Sequence, residues 1–243
     1  MRTLKIISIL FLLTISSTAV YAQSNTYASE LWPEVRWSET LSSKWGTRLD
    51  VRWITQSPSN KLLGHQYDKQ LMIRPWVFYK LPAKFQVGLS PFGYWKTMTN
   101  KESGKVGYSE YRVSGEITHD LSVGVGKIGN RIRIEDRYFS KAGENVHQAM
   151  RYRYQLKYTL PTKKQDGKTK QYFTVNDELF LNGGSDFTGH KLFDQNRLYV
   201  AYGWFFTPKM NLEMGYLGRA KVNHWDQSIR IRLNMRGLLT AKN

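Results

Sequence analysis

The stretch Asn130-Arg131-Ile132-Arg133-Ile134-Glu135-Asp136-Arg137 sets three arginines and one glutamate at alternate positions. Alternate residues of a β-strand share a face, so Arg131, Arg133, Glu135 and Arg137 project to one side. A guanidinium is a planar fork of N–H donors that matches a carboxylate or another oxyanion and keeps its charge in proteins. Arg151 and Arg153 repeat the pattern after a short loop, so five arginines crowd Glu135, and Glu116 is expected as their second carboxylate. The same parity adds Glu178, Arg197, Glu213, Arg230 and Arg232, with Glu34, Arg36, Arg48, Asp50, Arg52, Arg74 and Arg112. Two chemistries are open to such a set. Paired, the side chains form a lattice that fills an interior, because a buried charge without a partner is costly. Unpaired, the excess arginines line a path or pocket for anions. The lattice reading leads.

Other motifs carry less. Gly124-Val-Gly-Lys-Ile-Gly129 spells G-x-G-x-x-G, but a dinucleotide site needs a helix N-terminus directly after it. The strand-like Asn130–Phe139 follows instead, so the glycines read as a turn. The histidines (His65, His119, His147, His190 and His224) fall in loops or near strand ends without paired-ligand spacing, and there is no cysteine. That removes a metal signature, a disulfide framework and an acceptor for a lipid anchor. Ser114 and His119 are raw material for a hydrolase, yet their spacing assigns nothing. No catalytic, metal-binding or cofactor-binding residue is expected.

The elements that must position the charged faces are strands. Met150, Tyr152, Tyr154, Leu156, Tyr158 and Leu160 alternate with Arg151, Arg153, Gln155, Lys157 and Thr159. Ile229, Ile231, Leu233 and Met235 alternate with Arg230, Arg232, Asn234 and Arg236. In a soluble sandwich the apolar face is the core; in a membrane barrel it meets lipid and the polar face lines the interior. The segments run to about ten residues, the length that a tilted strand needs to cross a bilayer, whereas soluble strands average ~5–6. Trp32, Trp37, Trp53, Trp95 and Trp204 lie near segment ends and are expected in interfacial girdles. Tight turns such as Ser42–Gly46, Pro82–Lys84 and Thr207–Lys209 alternate with longer polar loops such as Gln56–Lys69 and Asn182–Gln195. Eleven segments can be read. Bacterial single-chain barrels have even strand numbers, which points to about twelve, with Ser24–Trp32 as an added short strand, or to ten. Pro75 and Pro91, opposite each other in one hairpin, mark a local kink.

The N-terminus gives the compartment. Arg2 and Lys5 precede an apolar run from Ile6 to Val20, and Val20-Tyr21-Ala22 fits a cleavage site. Residues 1–22 are thus expected to be a signal peptide and residues 23–243 a single barrel domain. The formal charge of +17 implies anionic neighbours, such as lipopolysaccharide or a small anionic solute. Export makes nucleic acid the least fitting of them.

Several blocks point to a family. Asn130–Phe139, Glu110-Tyr-Arg112, Arg151-Tyr-Arg153, Asn176-Asp-Glu-Leu-Phe-Leu-Asn182, Phe193-Asp-Gln-Asn-Arg197 and Glu213-Met-Gly-Tyr216 occur in the order of a family of outer-membrane proteins, the domain of unknown function 2490. The chain resembles that family over nearly its whole mature length. The resemblance implies an all-β, antiparallel outer-membrane barrel and brings no ligand, activity or catalytic residue. The chain ends Leu238-Leu239-Thr240-Ala241-Lys242-Asn243, without the terminal aromatic usual in barrel assembly signals. The expected function is an outer-membrane barrel of structural or narrow-pore type, in contact with lipid, lipopolysaccharide and the barrel assembly machinery. A barrel enzyme acting on lipid or lipopolysaccharide, and a surface barrel binding glycans, are the alternatives.

Overall fold

Period-two alternation builds eleven strands, and the hydrogen-bonding ladder of each is satisfied by two neighbours. The computed structural model describes residues 27–57, 67–98, 106–183, 191–222 and 225–239. The expected signal peptide lies outside them, as do His65, His190 and His224. In chain order the strands are β1 Tyr27–Thr40, β2 Trp45–Ser57, β3 Tyr67–Lys80, β4 Phe85–Thr97, β5 Tyr108–Val123, β6 Gly126–Ser140, β7 His147–Gln165, β8 Lys168–Asn182, β9 Phe193–Thr207, β10 Met210–Lys221 and β11 Trp225–Arg236. Each pairs antiparallel with its neighbours in sequence, and β1 closes the barrel against β11. That last pair is parallel, in register from Tyr27↔Trp225 to Ser38↔Arg236.

The parallel seam explains the departure from twelve strands. An even count is required only where every pair is antiparallel, and one parallel pair closes an odd number. The stretch expected to add a strand at Ser24–Trp32 instead continues, from Tyr27 onward, as the start of β1.

Connections of two to four residues gather at one end of the barrel, and the longer ones, together with the three-residue β10–β11 link, lie at the other. The shortest obey turn stereochemistry. Asp166 and Gly167 both have positive φ (51° and 71°) between Gln165 and Lys168, the geometry of a type I′ hairpin turn. Gly124, the first glycine of the G-x-G-x-x-G string, has φ 56° in the two-residue turn between Val123 and Gly126.

The proline pair does mark an irregularity. The β3–β4 register shifts between Ile73 and Val77, and the β4–β5 register shifts between Ser90 and Gly93. The extra residue at Pro91–Phe92 makes a bulge, which switches the inward parity of β4 from even to odd positions. Trp95 therefore turns into the lumen, 3% exposed. Trp32 shares parity with Glu34 and is also inside, 1% exposed. Neither belongs to a girdle. Trp53 lies on the outer face, half exposed.

The interior is polar. Among the described residues a small apolar cluster, Trp32, Ile54, Tyr199, Ala201 and Leu217, forms within it. About eight strands leave an interior that side chains just fill, and about sixteen leave a water channel. Eleven fall between, and long arginines and tryptophans occupy the extra width.

Candidate functional site

The inward faces bring the predicted charges together around carboxylates on different strands. Glu135 of β6 is fully buried. Its Oε2 accepts from Arg151 Nε (2.8 Å) and Nη2 (2.5 Å), and its Oε1 from Arg153 Nη1 (2.7 Å). Arg112, Arg133 and Arg74 stand at 3.7, 3.7 and 3.8 Å. Five guanidiniums thus surround one carboxylate, but they are not the expected five. Arg137 reaches Glu110 at 2.6 Å, and Arg131 reaches Glu178 at 2.6 Å. Long side chains lean along the strand, so Arg137 and Arg131 meet carboxylates on other strands and not Glu135 in their own.

Glu116 accepts from Arg133 Nε at 2.8 Å and also from its Nη2, with Arg48 at 3.7 Å. Glu178 takes Arg153 as well as Arg131. Asp50 holds Arg36 at 2.8 Å and Arg48 and Arg74 at 3.3 Å. Glu34 of β1 straps the parallel seam from inside: it binds Arg232 (2.8 Å) and Arg230 (2.6 Å) of β11 and Arg52 (2.9 Å) of β2. Parallel pairing is slightly weaker per residue, and these charge-assisted bonds reinforce it. Glu213 differs in chemistry. It pairs with Arg232 at 3.2 Å and accepts from the hydroxyls of Tyr172 (3.0 Å) and Tyr199 (3.1 Å). Gly203 makes room for Tyr172, since a Cβ there would lie 2.1 Å from the ring.

Parity also places inside Glu30, Glu110, Arg219 and Asp226, which were not among the candidate residues. Arg219 bridges Asp226 (2.5 Å) and Glu30 (2.9 Å). Alternation was the available signal: Glu110 is in step with Arg112, Arg219 with Glu213, and Asp226 with Arg230.

Aromatic rings separate the arginines. Arg112 lies 3.6 Å from the Trp95 centroid, Arg133 4.6 Å from Trp76, and Arg153 4.3 Å from Phe180. Such contacts are worth roughly 0.5–2 kcal/mol each and interpose apolar faces between like charges.

Arg197 stands apart. It contacts Trp32 (5.3 Å) and Phe180 (4.4 Å), its Nε is buried without a hydrogen-bond partner, and among the described residues no carboxylate lies within 4.0 Å of it. Two cavities meet at its side chain. The larger, about 290 Å³, opens toward the long connections; the smaller, about 120 Å³, lies deeper. Trp32, Arg52, Arg74, Arg153 and Arg197 line both.

Ser114 and His119 are not brought together. Ser114 is buried in the lumen, whereas His119, of opposite parity, stacks on Phe85 at 4.1 Å on the outer face. Among the described residues no three His, Asp or Glu side chains are grouped to hold a metal ion.

A closed barrel of eleven strands with an Arg–Glu lattice defines the structural class. The chain belongs to the family described as "Protein of unknown function (DUF2490)", which matches residues 29–230. No curated protein matches it.

Proposed function

We propose that the protein is an outer-membrane β-barrel whose lumen is held closed by its ion-pair lattice, so that it serves as a structural barrel or a narrow, gated pore and not a permanently open channel. One observation carries this reading: apolar and charged surfaces are inverted. Val35, Ile73, Val77, Val113, Ile117, Ile132, Ile134, Tyr152 and Tyr154 are all exposed on the outside, while Glu34, Asp50, Glu116 and Glu135 are buried. Soluble proteins rarely expose apolar belts on this scale, and a lipid-facing barrel requires one. On this reading the strands meet lipid and lipopolysaccharide, and the assembly machinery inserts them.

The test is fractionation followed by planar-bilayer recording. The mature protein should need detergent for extraction and, once inserted, pass little current, with any residual current favouring anions. Recovery as a soluble periplasmic species without detergent would overturn the membrane reading. A large steady conductance would overturn the closed lumen.

A further inference from the structure

The lattice does not consume its arginines evenly. The larger cavity is walled by arginines and lysines from strands around the barrel, against Glu110 and Asp194 as its carboxylates. Most of these cations already donate to a carboxylate behind them: Arg52 to Glu34, Arg74 to Asp50, and Arg153 to Glu135 and Glu178. A guanidinium has five N–H donors, so each keeps some for another acceptor.

Arg197 forms none of the ion pairs found among the described residues, and its Nε is buried without a hydrogen-bond partner. Glu178 is its cross-strand partner in register, but Glu178 Oε1 already accepts from Arg131 and Arg153, each at 2.6 Å. The rings of Trp32 and Phe180 beside Arg197 supply no oxygen. A part-buried charge without a close counter-charge carries a cost, and a bound anion lowers it.

We propose that the larger cavity binds a phosphoryl oxyanion, either inorganic phosphate or a small phosphomonoester, with Arg197 as the principal ligand and Arg52, Arg74 and Arg153 completing the cradle. Those four side chains come from β9, β2, β3 and β7, so donors reach the space from well-separated directions. A carboxylate offers two oxygens to such an array, and a phosphoryl group offers three or four together with a second charge. The cavity of about 290 Å³ extends beyond one phosphoryl group, which admits a monoester carrying a small sugar. The site needs only the folded lumen. It therefore stands or falls separately from membrane placement.

Calorimetric titration of the full-length protein in detergent tests this. Inorganic phosphate and glucose 1-phosphate are titrated separately, with acetate and sodium chloride at matched ionic strength as controls. The expected result is saturable one-site binding of at least one phosphoryl compound and none of acetate. Tighter binding of glucose 1-phosphate identifies a phosphomonoester as the ligand class, and equal or weaker binding identifies free phosphate. Arg197→Gln should weaken binding at least tenfold, Arg197→Lys less, and Lys209→Gln at the short-turn rim not at all. Absence of saturable binding to the wild type, or unchanged affinity in Arg197→Gln, overturns the proposal. If the Arg197 variants do not fold, the wild type alone decides. Its unfolding temperature must rise with phosphoryl compound above the matched acetate and chloride controls, and no rise overturns the site.

Discussion

Glu135 on β6 and Arg197 on β9 both point into the lumen, yet their surroundings are opposite. Glu135 has five guanidiniums within 4.0 Å and both oxygens engaged. Arg197 has two aromatic rings and an Nε without a partner. Residue type does not separate the two regions, since arginine dominates both. What separates them is the stagger of the strands. Around Glu135 the side chains of β3, β5, β6 and β7 lean toward one carboxylate. Beside Arg197 the only carboxylate in register is drawn away by Arg131 and Arg153. The first region is built to brace, and the second is left able to accept something from outside.

The largest expected effect breaks the first region. Glu135→Gln keeps the shape and removes the charge, leaving buried guanidiniums without their counter-charge. Loss of one partner of a buried ion pair costs about 3–5 kcal/mol. Denaturant unfolding in detergent should show a loss of that size. A change near zero would mean that water screens the lattice, and the closed lumen would then be untenable.

A smaller effect, of opposite sign, is expected in the second region. Arg197→Gln deletes a charge that no carboxylate pairs within 4.0 Å among the described residues, and repulsion from Arg219 and Arg153 outweighs the more distant attraction of Glu178. Stability should rise by about 1 kcal/mol in the absence of any anion. Saturating phosphate should reverse the order, because only the wild type then gains binding free energy. A loss of several kcal/mol in anion-free buffer would show that Arg197 braces the barrel as Glu135 does, and the contrast between the regions would collapse.

Much of this was readable from residue order. Alternation alone separated inner from outer faces, and the Arg131–Arg137 and Arg151–Arg153 faces point inward as their parity requires. Eleven segments were visible as well. Other features depend on relations that one strand does not contain. Alternation is the same for parallel and antiparallel neighbours, so the β1–β11 seam left no trace. The bulge at Pro91–Phe92 inverted the parity of β4 and carried Trp95 inside, although the prolines themselves flagged the place. Trp32 sits near a segment end, where a girdle is expected, but the parity it shares with Glu34 turns it inward. Pairing was the least legible. Which carboxylate Arg137 or Arg131 meets depends on barrel stagger, and so does the fact that Arg197 pairs with none among the described residues.

The smallest effect calibrates the comparison. Lys127 and Asp120 form a 2.6 Å ion pair near the β5–β6 turn, with side chains 57% and 43% exposed. The contact is as short as those around Glu135, but water surrounds it. Exposed pairs contribute only about 0–1 kcal/mol, since high dielectric weakens the attraction and two long side chains lose freedom. Asp120→Asn should therefore cost less than about 1 kcal/mol in the same unfolding assay. Salt then separates the two environments. The screening length is about 10 Å at 0.1 M and about 3 Å at 1 M ionic strength, so the small Asp120 effect should vanish at high salt. The Glu135→Gln loss should persist, because the carboxylate is fully buried among its guanidiniums and buried pairs are screened far less than exposed ones. If both losses fade together as salt rises, the lumen shares its solvent with the rim, and Glu135 and Arg197 lie in an open, hydrated passage.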